Sequence, residues 1–279
     1  MKVMDTVFFN KYIEMASHGD QLGWHERNGG NLTYWLNQEE VAMIEEELIH
    51  EDVWFPIQTK VQELANQYFL LSGTGKYFHQ MKKAPMITTG IIQVDESGES
   101  YRICWGFEDG GKPTSELPTH LMNMEVRKRK SNAMERVIYH AHCPNLIALT
   151  FLLPLKDEIF TRELWEMMTE CPVIFPEGVG VVKWMVPGGR EIAVETSRLM
   201  EQYRAIVWAH HGLFCSGVDF DSTFGLMHTI EKSAEIWIKV HSVRPDKLQT
   251  ISVEGFQQLA KDFHVDLNPA ALYEQKQNS

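Results

Sequence analysis

The sequence predicts an α+β protein, or a mixed layered sheet, over its 279 residues. Short apolar runs recur along the chain, and several are separated by turns rather than helices. One of those turns, DESGES at 95–100, joins two such runs as a hairpin, which requires antiparallel pairing. Helical segments fall irregularly between the other runs, which argues against a regular βαβ barrel.

Taken in order, residues 5–19 form a first helix, with Asp5 as N-cap and Phe8, Phe9, Tyr12, Ile13 and Met15 on its apolar side. The Asn-Gly-Gly-Asn within HERNGGNLT, 25–33, is a strong turn signal. A second helix covers 38–50, and its EEE run is a solvated face. Strands are expected at YFLL (68–71), GIIQV (90–94), YRICW (101–105), RVIYHAH (136–142), PVIF (172–175), AIVW (205–208) and LFC (213–215). Helices are expected at 115–130, 145–153, 158–168, 188–203, 219–241 and 252–264. Proline and glycine are scattered and no repeat or low-complexity tract is present, so residues 1–279 are expected to be a single domain.

Hydrophobic residues make up 44% of the chain, ample for a core. The 26 basic and 38 acidic residues leave a charge of −12, which disfavours nucleic acid and anionic membranes as partners. The longest apolar stretch, Leu146 to Leu155, is too short to span a bilayer and is interrupted by Thr150 and Pro154. The N-terminus, MKVMDTVFFNKY, has no apolar signal segment, so a cytoplasmic location is expected. Cys104, Cys143, Cys171 and Cys215 are dispersed and read as reduced thiols.

The residues with chemistry to offer lie in a few short stretches. In YHAHCPN, 139–145, a strand leads into two imidazoles one residue apart. Side chains at i and i+2 project from one face, so His140 and His142 point the same way while Cys143 turns to the other. Two histidines on a strand end can begin a metal site, which then needs a third ligand and an open position. WAHHGLF supplies a candidate: on an extended backbone His210 and His211 face opposite ways, and His211 is preferred, with Gly212 beside it allowing close approach. In PTSELPTH, 113–120, Thr114 or Ser115 can cap a helix whose first N–H groups favour an anion, and Glu116 lies in its first turn. That carboxylate is a helix-dipole partner, a general acid and base, or a metal ligand. LSGTGKYF, 71–78, is a glycine-bracketed loop whose N–H groups could cradle an oxyanion, but it is no Walker A loop, having Leu70 and Tyr77 where that motif needs Gly and Ser or Thr. Lys76 within it lacks the apolar pocket that a Schiff-base lysine requires and reads as exposed. Asn28, Gly29 and Asn31 place amide side chains around a backbone that a ligand can approach. Glu170 precedes the expected strand at 172–175, and nothing local assigns it a task.

In this order, HERNGGNLT, LSGTGKYF, PTSELPTH, YHAHCPNLIALT, LWEMMTECPVIFPEGVG, WMVPG and HHGLFCSG resemble the class II aldolase and adducin-like family over roughly residues 5–265. The resemblance implies a mostly antiparallel central sheet flanked by helices, assembled as a homotetramer with sites at subunit interfaces. It implies one zinc ion per subunit, held by His140, His142 and His211 with Glu116 beside it. Asn28, Gly29, Asn31, Gly73, Thr74, Gly75, Thr114 and Ser115 would form the pocket for a substrate phosphate and its neighbouring oxygens. Glu170 matches a carboxylate that, in the branch acting on rhamnulose phosphate, enters the site from the adjacent subunit. His210 stands where the family pattern has a bulky aromatic.

The implied reaction is reversible cleavage of L-rhamnulose 1-phosphate to dihydroxyacetone phosphate and L-lactaldehyde through a metal-stabilised enediolate. Zinc on neutral imidazoles keeps its positive charge for the oxyanion, so no lysine imine is needed. A related aldolase or 4-epimerase acting on L-fuculose 1-phosphate or L-ribulose 5-phosphate would use the same parts. A metal-dependent hydrolase would instead activate water, and an adducin-like interaction module would be expected to lack the ligand set.

Overall fold

Strand β1 (Asn31–Leu36) runs through the middle of a nine-stranded sheet in the computed structural model, which describes residues 1–273. On one side lie β3 (Tyr68–Ser72), β4 (Thr89–Val94), β5 (Ser100–Gly106) and the short edge strand β2 (Phe55–Pro56); on the other lie β6 (Val137–Ala141), β9 (Gly212–Gly217), β8 (Ala205–Trp208) and β7 (Gly180–Val182). Every neighbouring pair is antiparallel except β7 with β8.

Alternation along the strands sorts their side chains into two cores. Leu32, Tyr34, Val137, Tyr139, Val207 and Cys215 enter one, with helices α1 (Val7–Gln21), α5 (Pro144–Leu152), α6 (Asp157–Trp165), α9 (Phe220–Val243) and α10 (Val253–Phe263) packed over that face. Trp35, Phe69, Ile138, Ile206 and Phe214 enter the other, under α4 (Leu117–Lys130) and α8 (Arg190–Met200). Helices therefore cover both faces of a mostly antiparallel sheet, as expected. The remaining helices, α2 (Gln38–Ile44), α3 (Pro85–Thr88) and α7 (Cys171–Ile174), are short. No described helix is long and apolar enough to cross a membrane.

Several local expectations are corrected. Thr6, not Asp5, caps α1, because its hydroxyl accepts from the Phe9 N–H at 3.3 Å. The helix expected over 38–50 ends at Ile44 and tightens into a 3₁₀ turn at Glu45–Glu47. The PVIF segment is not a strand but lies largely within α7, started by Pro172 at a first-turn position, and the edge strand comes later, at Gly180–Val182. A four-residue apolar run does not distinguish strand from buried helix by periodicity. Glu170 is accordingly the residue before a helical turn, not before a strand. Residue 116, rather than Thr114 or Ser115, stands at the cap position of α4, and the Thr114 hydroxyl accepts the Glu116 N–H at 3.3 Å.

The largest omission is β1 itself. NLTYWL is buried at all six positions, so it lacks the polar and apolar alternation that marks a half-exposed strand. The Asn-Gly-Gly-Asn signal in front of it reads as a turn, which it is, and the turn leads straight into the central strand.

Candidate functional site

The register of β1 against β6 pairs Asn31 with His140, and the antiparallel β6–β9 pairing sets His140 opposite Phe214. His140 thus lies on the α4 side of the sheet, fully buried, with its ring stacked on Phe214 at 4.2 Å between centroids and 11° between planes. Its Nδ1 donates to the Leu213 carbonyl at 3.1 Å. A carbonyl only accepts, so the proton is on Nδ1 and the Nε2 lone pair is free for a cation. His142, just past the end of β6, is anchored by its N–H to the Trp24 carbonyl (3.0 Å), and its Nδ1 donates to Glu26 Oε1 at 2.6 Å. That leaves Nε2 as the ring nitrogen of His142 available to a cation.

His210 and His211 lie in the tight β8–β9 connection rather than on an extended backbone. His210 takes a left-handed conformation (φ 61°), and the His211 N–H closes the turn onto the Trp208 carbonyl at 3.1 Å. The turn directs His211 to the cluster, with its Nε2 3.4 Å from that of His140. His210 points elsewhere: it meets the Thr150 hydroxyl at 3.1 Å and packs on Phe151. The three rings of His140, His142 and His211 form a nearly equilateral triangle, with centroids 4.9–5.2 Å apart.

This donor set fits a metal ion. Two ligands about 2.0–2.1 Å from a tetrahedral ion are roughly 3.3 Å apart, close to the Nε2 separation of His140 and His211. The ligand atoms of the three histidines lie within 4.8 Å of one another, the one such cluster of three among the described residues. Burial holds His140 well below the usual histidine range, helped by the neighbouring His211 and His142, and holds His211 down at about 4, so both present neutral rings.

Glu116 approaches from the start of α4, with Oε2 3.8 Å from His140 Nε2 and accepting the Asn31 Nδ2–H at 2.8 Å. Burial pushes its carboxyl up to about 7, against the pull of the Asn31 hydrogen bond. A cation in the cluster acts in the opposite direction.

A cavity of about 200 Å³ opens beside these groups. One wall carries Glu116, His140, His142 and His211; the other is made by Asn28, Gly29, Gly30 and Asn31, by Gly73, Thr74 and Gly75, and by Thr114 and Ser115. The last two loops are zipped together through Thr74 N–H to Lys112 O and Thr114 N–H to Ser72 O, both 2.9 Å. No lysine or arginine is among the lining residues, so an anion would meet N–H groups, hydroxyls and amides. Lys76 is instead ion-paired with Asp109. A larger hollow of about 570 Å³ near β5 is lined by Glu46, Glu47, Glu51 and Glu108, which would repel an anionic substrate.

Of the residues that the family resemblance assigns to the site, Glu170 lies outside this cavity; it is exposed at the start of α7. Cys143 is fully buried on the opposite face, in the α5 and α9 core, with its thiol pushed well above the usual range by burial. Gly30, Pro187 and Gly188 also line the cavity and were not singled out. Their only signal was the WMVPG stretch and a second glycine in the turn.

The supporting shell went unrecognised too. His25 stacks on Phe78 at 3.7 Å, with Nδ1 3.0 Å from the Gly29 carbonyl and Nε2 2.7 Å from the Tyr139 hydroxyl. It fills the space behind the glycines: Gly30 has φ +77°, and a Cβ there would lie 2.4 Å from His25 Nδ1 and 2.7 Å from the His140 carbonyl. We therefore expect Gly30→Ala to lose about 1–3 kcal/mol of stability in urea unfolding and to weaken substrate binding. From the other side, Glu231 of α9 accepts the Asn145 and Leu146 N–H groups at 3.0 and 2.9 Å. The buried carboxylate satisfies the first turn of the helix that follows His142.

A sequence model of the class II aldolase and adducin N-terminal domain matches residues 10–238. The chain belongs to the class II aldolase and adducin family. Among members of this family, a rhamnulose-1-phosphate aldolase from Listeria monocytogenes is 43% identical over 271 residues, covering 97% of this chain and 98% of that protein. One from Mannheimia succiniciproducens is 47% identical over 243 residues, covering 87% and 89%. The crystal structure of a sugar-phosphate aldolase from Thermotoga maritima superposes with a TM-score of 0.71 at 25% identity, over 85% of this chain and 96% of that one. The class II aldolase fold is thus shared with a sugar-phosphate aldolase.

Proposed function

We propose that this class II aldolase is a zinc enzyme that reversibly cleaves L-rhamnulose 1-phosphate to dihydroxyacetone phosphate and L-lactaldehyde, in the breakdown of L-rhamnose. The observation that carries the reading is the composition of one cavity, in which three convergent imidazoles and a buried carboxylate face a cradle of glycines, amides and hydroxyls without lysine or arginine. The near full-length similarity to rhamnulose-1-phosphate aldolases supports the choice of sugar.

When bound, zinc supplies Lewis acidity for the negative charge left on the three-carbon fragment as the carbon–carbon bond breaks. His140, His142 and His211 would hold it, and their neutrality leaves its charge undiminished. The loops at 28–31, 73–75 and 114–115 bind the phosphate and fix the fragment in register. In the cleavage direction the C4 hydroxyl gives its proton to water as its oxygen becomes the aldehyde carbonyl, the bond between C3 and C4 breaks with its electron pair left on C3, and a proton delivered there completes dihydroxyacetone phosphate. Glu116, buried beside His140 and hydrogen-bonded to Asn31, carries that proton. Glu170, outside the lining of this cavity within one chain, completes the site from an adjacent subunit of a homotetramer. The 279 residues act as one domain in the cytoplasm.

The test is a coupled assay for dihydroxyacetone phosphate released from L-rhamnulose 1-phosphate, run with and without chelator and against L-fuculose 1-phosphate and L-ribulose 5-phosphate. Preference for another sugar would reassign the substrate, and release of inorganic phosphate would point to a hydrolase. Ser115→Ala should raise KM by the equivalent of about 1–3 kcal/mol with little change in kcat, as a charge-assisted hydrogen bond to phosphate is lost. Unphosphorylated L-rhamnulose should be a poor substrate; equal efficiency would refute the phosphate cradle.

A further inference from the structure

His120 lies one turn beyond Glu116 on α4 and is fully buried. Its Nε2 makes a short contact with Asn31 Oδ1, while its Nδ1 has no hydrogen-bond partner. The other end of the same amide, Asn31 Nδ2, donates to Glu116 Oε2 at 2.8 Å. We propose that His120, protonated at Nε2 and neutral, is a positioning residue that holds the Asn31 amide in the one orientation directing its N–H to Glu116. The inference deepens the reading of Glu116 as the proton carrier and rests on it.

An asparagine amide has two orientations of nearly equal shape, related by a half-turn. In the one described, Glu116 receives a donor and its ionised form is stabilised. In the other, the Asn31 carbonyl would face the carboxylate, two acceptors in contact, tolerable only while Glu116 holds a proton. Nothing in the amide itself chooses between them. A donor on His120 Nε2 does, because only the amide oxygen can accept from it. The amide then donates to Glu116 whether or not the carboxyl is protonated, and the carboxylate is ready to take a proton from carbon. Burial holds His120 neutral, at about 3, so it has a single N–H to place. With that proton on Nε2, the unpartnered Nδ1 is a lone pair; on Nδ1 it would be a buried donor without an acceptor, the rarer and costlier defect. His120 also packs on Phe214, 5.4 Å between centroids, the ring on which His140 is stacked, so its own position is fixed.

Nitrogen NMR of the zinc-loaded, histidine-labelled full-length protein reads the tautomer directly, and a neutral Nε2–H form of His120 is expected. The Nδ1–H form or an imidazolium would overturn the proposal. In the variants, His120→Gln can place an amide N–H where Nε2 stood, whereas His120→Leu cannot. We expect His120→Leu to lower kcat about 10–100-fold with KM and bound zinc near wild type, and His120→Gln to recover most of that loss. Equal losses in both, or a loss carried by KM or metal content, would assign His120 a packing role instead. Should the leucine variant not fold, the tautomer measurement on the wild type still decides. Full activity in Glu116→Gln would remove the underlying reading of Glu116 while leaving the tautomer result standing.

Discussion

Replacing His142 with alanine is expected to release the metal and to lower aldol cleavage by about 10³-fold or more, the equivalent of several kcal/mol of Lewis-acid stabilisation. Among the three histidines it gives the cleanest test. Its side chain is 17% exposed at the cavity rim, whereas His140 is fully enclosed and stacked on Phe214, so that removing His140 would also leave a hole in the core. The His142→Ala protein should therefore unfold close to the wild-type midpoint, with metal analysis showing the loss. Full zinc occupancy in a folded variant would take His142 out of the ligand set. His210→Ala should keep its metal, because His210 turns to Thr150 and Phe151. Chelation of the wild type should reproduce the loss in activity, and added zinc should restore it.

Glu116→Gln is expected to keep both fold and metal and to lose about 10²- to 10⁴-fold in turnover. Glutamine preserves the shape and can still accept the Asn31 N–H, so the difference isolates the proton. Solvent-deuterium exchange into dihydroxyacetone phosphate should fall in step, since that exchange reports proton transfer without carbon–carbon bond making. A variant that lost cleavage yet exchanged deuterium at the wild-type rate would move Glu116 to another step and make Glu170 the carboxylate to examine in mixed oligomers. A stability measurement gives a second readout on metal-free protein. Burial raises the folded carboxyl to about 7, above the unfolded value near 4.3, so the folded form binds the proton more tightly. The contribution is fully present below the unfolded pKa and is lost as pH rises through about 7. The glutamine variant should lack that component of the decline, and identical pH dependence in the two proteins would contradict it.

Backbone alternation by itself put His140 and His142 on one face and Cys143 on the other, because the pleat of a strand is a local property. Composition disfavoured nucleic acid and anionic membranes as partners, and the turn chemistry of DESGES required the β4–β5 hairpin. The family resemblance, read from motifs in order, implied the histidine triad and the loops that line the cavity with it. Local pattern failed where burial on both faces erased periodicity, as in β1, and where a four-residue apolar run could be strand or helix, as at 172–175.

Which of two adjacent histidines meets His140 and His142 was decided by a left-handed turn at His210, a backbone state uncommon for a non-glycine residue. The partnership of Asn31 with Glu116 and His120, across 85 and 89 residues of chain, and of His142 with Glu26 across 116, likewise belongs to the tertiary structure alone. The sequence by itself determined which groups the protein could bring to a reaction and that His140 and His142 project to one side. The packing of α4 over β1 and β6 decided which of them touch, because contact at that separation depends on sheet register and helix placement, which no local spacing specifies.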